Sequence, residues 1–139
     1  MKVTLNRINE DYLFDAKGAN DVSVLIDNKT NDEVKGASPM ELVLMAVGGC
    51  NAIDIVSILK KQRQEVKSYK IEVEGKRKDT GYAKPFESIH LIIYLEGNIV
   101  AEKAKKAAAL SFEKYCSVSI TLGPSVDISY EIILNGILI

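Results

Sequence analysis

Residues 38–63 constrain the fold more than any other segment. Ser38-Pro39-Met40-Glu41 has the form of a capping box with proline at the first helical position. Ser38 can accept from a free amide of the first turn, and Glu41 can reach back to the Ser38 amide. Behind this box, Leu42 to Val47 is apolar on every face, Gly48-Gly49 interrupts, and Cys50 follows. The apolar pattern resumes at Ile53, Ile55, Val56, Ile58 and Leu59. It ends in Lys60-Lys61-Gln62-Arg63, whose cations suit a helix C-terminus. One helix from Pro39 to Arg63 is about 37 Å long at ~1.5 Å per residue. A helix apolar all round needs cover on every side. One small sheet covers one side, so a second copy is expected to supply the rest, giving an intertwined homodimer.

Around this helix the chain alternates between strands and helices. Val3, Leu5 and Ile8, then Tyr12–Phe14, then Val22–Ile26 read as a meander of short antiparallel strands. Residues 27–37 are polar, with Asn28, Asn31, Asp32 and Gly36, and read as a loop. Ser68–Lys76 alternates Tyr69, Ile71 and Val73 with Lys70, Glu72 and Glu74, the pattern of a half-exposed strand. Ser88–Leu95 is a second such strand. Asn98 is the expected cap of a helix over Ile99–Tyr115, with Val100, Ala104, Ala107, Ala108, Ser111 and Tyr115 on one face. Ser117–Thr121 is ambiguous, and Asp127–Leu134 reads as a last strand. The order implies an α+β fold. A length of 139 residues implies one domain, 1–139.

Composition narrows the function. Eighteen Lys and Arg against 19 Asp and Glu give a formal charge of -1, with no electrostatic footprint for nucleic acid or an anionic membrane. The first fifteen residues carry Lys2, Arg7, Glu10, Asp11 and Asp15 where a signal peptide needs an apolar segment. The longest uninterrupted apolar run, Leu42–Val47, falls short of the ~20 residues of a membrane span. These features suggest a soluble, cytoplasmic protein. Two cysteines and one histidine are too few for a closed four-ligand zinc site, and no CxxC is present, so neither a metal nor a cofactor is expected. A structural disulfide would be unusual in a reducing cytosol. Cys50 and Cys116 are therefore two buried thiols or a redox-active pair.

Two glycines in mid-helix cost roughly 1 kcal/mol each relative to alanine. Close packing would explain Gly48-Gly49, and so would access of a small molecule to the Cys50 sulfur. Cys116 either ends the preceding helix or starts a short one over residues 116–122, and the sign of the local helix dipole differs between the two. Asp54 shares a helix face with Cys50. A carboxylate there opposes thiolate formation, so Asp54 is expected to hold a partner or an interface. Glu41 is explained by the capping box. His90, on the polar phase of its strand, reads as a solvated or satisfied histidine.

Together, Ser38-Pro-Met-Glu-Leu, Gly48-Gly-Cys, Asp54-Ile-Val-Ser-Ile-Leu and Ser111-Phe-Glu-Lys-Tyr-Cys-Ser-Val resemble the OsmC/Ohr family of osmotically inducible protein C and organic hydroperoxide resistance proteins. The likeness is to an OsmC-like branch and runs from Val3 to Leu134. It implies an OsmC-like intertwined dimer with antiparallel sheets around long buried central helices. It also implies a thiol-dependent peroxidase acting on organic hydroperoxides in the oxidative stress response. Cys50 would be the peroxidatic thiolate and Cys116 the resolving thiol, with an external dithiol as reductant. The family's peroxidases add a glutamate early in the long helix and an arginine from the N-terminal strand region. Here Met40 directly follows the proline and Glu41 stands one residue later. Arg7 lies in the corresponding region, and Arg77 is the other candidate. The apolar flank of Cys50, Val47 and Ile53, is expected to favour alkyl peroxides. The alternatives are a non-catalytic or sensing small-molecule-binding dimer, and a dimer whose thiols only pack.

Overall fold

The computed structural model describes residues 1–30 and 32–139 and forms two compact units, Met1–Val43 and Leu44–Ile139. In the first unit, β1 (Thr4–Arg7), β2 (Phe14–Lys17) and β3 (Ser23–Ile26) pair antiparallel in sequence order, the expected meander. The second strand starts at Phe14 and not at Tyr12, because residues 8–13 close on themselves. The Asn9 side chain accepts from the amides of Asp11 and Leu13, and the Arg7 guanidinium donates to the carbonyls of Glu10 and Asp11. The loop that follows is tied by buried Asp27, whose carboxylate accepts from the amides of Asn28 and Lys35. Asn31, read as part of this loop, lies outside the described residues.

Helix α1 spans Pro39–Lys61, starting where the capping box places it. In the second unit, β4 (Glu65–Arg77) and β5 (Phe86–Asn98) form a long antiparallel hairpin. After β5 come α2 (Ala101–Leu110), a π-helical turn over Ser111–Tyr115 and α3 (Ser117–Leu122), then β6 (Asp127–Leu134) and β7 (Ile137–Leu138). The sheet order is β4-β5-β6-β7. Both sheets contain antiparallel pairs, as expected, but β5 and β6 run parallel. A crossover through helices returns a strand in the direction of the one before it.

The helices share one face of this sheet. Ile55 and Leu59 of α1 and Ala104, Ala107 and Ala108 of α2 meet Ile93, Leu95, Ile132 and Leu134. Each fully buried Ile or Leu contributes about 1.5–3 kcal/mol of transfer energy. The other face carries His90, Tyr94 and Glu72. His90 Nδ1 lies 2.8 Å from Ser129 Oγ, and Tyr94 donates to Glu72. This is the satisfied histidine the strand pattern implied.

Three expectations need correction. Asn98 is the last residue of β5 and does not cap α2. The helix begins after Val100, whose amide donates to the Gln64 side chain. The face predicted for this helix is buried only at Ala104, Ala107, Ala108 and Ser111, while Val100 and Tyr115 are exposed. Within one chain helix α1 is covered on one side only, as expected. Its buried positions, Val47, Asn51, Ile55 and Leu59, form one stripe, while Met45 and Ile53 are 59% and 72% exposed. With 23 residues and a mean hydropathy of 2.0 over its best window, α1 is long and apolar enough to cross a membrane, contrary to the count of uninterrupted apolar residues. Ile55 and Leu59 of its stripe instead pack on the protein's own sheet.

Candidate functional site

Gly48 explains how α1 comes so near the sheet. A Cβ at this position would stand 2.8 Å from Val73 Cγ2, so only glycine permits the observed approach. Gly49 has open space where its Cβ would be and is exposed. The two glycines thus divide the two explanations. Gly48 serves packing, and Gly49 leaves the surface beside Cys50 uncluttered.

The π-helical turn places the second thiol. The Cys116 amide donates to the Ser111 carbonyl at 2.8 Å, five residues back, where an α-helix would pair residues four apart. That extra residue ends the helix, and Cys116 adopts an extended conformation as the N-cap of α3. Of the two placements left open by the sequence, the start of a short helix is the one found. The Cys116 sulfur accepts from the Ser119 amide at 3.3 Å and the Ser119 hydroxyl at 3.2 Å.

Cys50 and Cys116, 66 positions apart in sequence, are brought together with Asp54. The two sulfurs and an Asp54 carboxylate oxygen all lie within 4.8 Å of one another. Both cysteines are free; Cys116 is buried and Cys50 half-buried. Burial pushes the Cys50 thiol above its usual range, and the Cys116 thiol and the Asp54 charge push the same way. The Val118 amide opposes them.

A buried polar chain supports this cluster. The Ser111 hydroxyl donates to Asn51 Oδ1 at 2.8 Å and lies 3.3 Å from Asp54 Oδ2. Asn51 Nδ2 donates to Ser119 Oγ at 3.0 Å and to the Val47 carbonyl at 2.9 Å. Ser119 in turn donates to Cys116. Asp54 therefore sits in the thiol cluster, in contact with Ser111. Asn51 and Ser119 escaped the reading of the sequence. Asn51 had a signal, a polar residue in phase with Val47, Ile55 and Leu59 on the apolar stripe. Ser119, in an ambiguous segment, had none.

The other candidate residues have local partners. Glu41 and Arg7 belong to the first unit. Glu41 accepts from the Ser38 amide and hydroxyl and pairs with Lys29, which together hold its carboxyl down at about 2. Arg7 closes the turn after β1, as described. Arg77 donates to the Lys84 carbonyl across the β4–β5 turn. Val47 is wholly buried, so of the two apolar residues assigned to the flank of Cys50 only Ile53 is exposed.

Comparison with known proteins agrees with this architecture. A model of the OsmC-like protein family matches residues 30–131. The Escherichia coli K12 protein YhfA is 39% identical over 127 residues, covering 89% of this chain and 92% of YhfA. The crystal structure of a hypothetical protein from Aquifex aeolicus superimposes with a TM-score of 0.81 at 34% identity, covering 96% of both chains. The organic hydroperoxide resistance protein OhrB of Bacillus subtilis shares the fold at a TM-score of 0.64 and 19% identity, covering 94% of this chain and 96% of OhrB. The chain belongs to the OsmC-like protein family.

Proposed function

We propose that this protein is a two-cysteine thiol peroxidase that reduces organic hydroperoxides in the cytoplasm, working as a homodimer of single OsmC-like domains. The observation that carries the reading is the meeting of Cys50 and Cys116, within 4.8 Å, from elements far apart in the chain. The half-buried Cys50 is the thiol a peroxide can reach. As thiolate it attacks the distal peroxide oxygen and becomes a sulfenic acid, and the O–O bond breaks to release an alcohol. The Cys116 sulfur then attacks the sulfenic sulfur and expels water, leaving a disulfide that an external dithiol reduces. Glu41 and Arg7 complete the proposed catalytic set as the counterparts of the family's activating pair.

Pure protein with a dithiol is expected to consume cumene hydroperoxide, and Cys50→Ser to consume none above background. Cys116→Ser should stop at a Cys50 sulfenic acid that a dimedone reagent traps. The rate should also depend on pH. The thiolate is the nucleophile, and the Cys50 thiol is raised, so the rate should climb about tenfold per pH unit from neutrality until the thiol titrates. Consumption unaffected by Cys50→Ser would refute the reading.

The exposed face of α1 supports the homodimer. Met45 and Ile53 project from a helix whose other stripe is buried, and a second copy would cover them. Sedimentation at micromolar concentration should give twice the chain mass, and Ile53→Asp should give the single chain. A monomeric wild-type protein would rule the homodimer out.

A further inference from the structure

We propose that Cys50, Cys116 and Asp54 form a binding site for a soft divalent metal ion, with zinc as the ion. The inference goes beyond the redox reading and does not depend on turnover.

Two thiols and one carboxylate are a donor set for zinc. Thiolate sulfur selects zinc over magnesium and calcium, which take oxygen ligands. Zinc bound tetrahedrally, with zinc–sulfur bonds of about 2.3 Å and zinc–oxygen bonds of about 2.0–2.2 Å, holds its ligand atoms about 3.6–3.8 Å apart. The three atoms here already lie within 4.8 Å of one another. Closing on an ion asks for movements of about 1 Å at most, within the reach of side-chain rotation. Three protein ligands leave the fourth position to water or to an incoming molecule, unlike a closed structural site.

The surroundings fit the same ion. The Cys116 sulfur accepts from the Ser119 amide and hydroxyl, and the Val118 amide is directed at Cys50. Asp54 is met by Ser111, which the buried Asn51 orients. Such contacts orient metal ligands and set their basicity.

Binding forms two metal–sulfur bonds and one metal–oxygen bond, and the two thiol protons pass to solvent. A sulfur held by zinc is not available for a disulfide, so metal and disulfide exclude each other.

Cobalt(II) is the probe, titrated anaerobically into the reduced full-length protein. One equivalent should produce a sulfur-to-cobalt charge-transfer band in the near ultraviolet with the visible bands of four-coordinate cobalt. Two protons should be released per ion, and zinc should displace the cobalt. Cys50→Ser should lose about half the charge-transfer intensity. Asp54→Asn should keep the band and weaken affinity by at least about 10-fold, the lower end of the cost of losing an outer-shell partner. These two variants suffice if Cys116→Ser, altered at a buried position, does not fold. No band with both thiols titrating as reduced overturns the site, as does a full-intensity band in Cys50→Ser or unchanged affinity in Asp54→Asn. A cobalt band without peroxide turnover would overturn the peroxidase reading alone. Turnover without a band would overturn the metal site alone.

Discussion

Asn51→Leu is expected to destabilise the protein by about 2–4 kcal/mol although it adds apolar volume to an apolar stripe. Asn51 is fully buried and links Ser111 to Ser119 through its two amide ends. Leucine removes both links at once. Ser119 loses the donor to its oxygen, and Ser111 keeps only its longer contact with Asp54. Buried polar groups left short of partners cost about 1–3 kcal/mol each, more than a leucine recovers in a space shaped for an amide. Urea unfolding gives the loss directly. Because the residues form one chain, Ser111→Ala should cost less in the Asn51→Leu background than in the wild type. A loss below about 0.5 kcal/mol, or simple additivity of the two changes, would show that the network does not hold the site.

Gly97→Ala should cost about 3–5 kcal/mol, with a fall in Tm of roughly 10 °C or more for a chain of this length. Gly97 pairs with Val66 beside the bulge in the β4–β5 hairpin. Its φ of 143° is one that residues with a Cβ rarely adopt. An added Cβ would stand 2.0 Å from the Glu65 carbonyl oxygen, a backbone atom that cannot rotate away. Asn135 brackets the same residue, accepting from the Gly97 amide at 3.0 Å and donating to its carbonyl at 3.1 Å. Strain and collision therefore add, and the strand that must yield carries Leu95 of the core. Gly18→Ala, with nothing within 4 Å of its added Cβ, is the control and should change little. A Tm for Gly97→Ala within about 2 °C of the wild type would contradict this account.

What could be read from the sequence was what is local. The capping box at Ser38–Glu41 is complete within four residues, and each predicted contact is found. The alternation in β4 and β5 identifies the buried faces because a strand's period is fixed by its own backbone. Two features depended on distant contacts. The π-helical turn at Ser111 follows an alanine-rich helix with no breaker before it, so periodicity runs straight through Ala107, Ala108 and Ser111. The parallel pairing of β6 with β5 has no signature in either strand. The meeting of Cys50 with Cys116 depends on the first of these, so the spacing of the cysteines did not reveal it. Family likeness supplied the expectation, and the turn supplies its physical cause.

The parallel crossover between β5 and β6 also sets a timetable for the nascent chain. Cys50 leaves the ribosome 66 residues ahead of Cys116, a gap of about 3–13 s at ~5–20 residues per second. Throughout that interval the first thiol has no partner within its own chain, and β5 lacks the strand that will run beside it. Closing a connection of this length must precede any gain from the pairing it permits, so β6 docks after the local β4–β5 hairpin. The two sulfurs thus become neighbours only after Cys116 has followed, and a truncated chain lacking Cys116 carries half a redox centre that can neither resolve a sulfenic acid nor close a disulfide on itself.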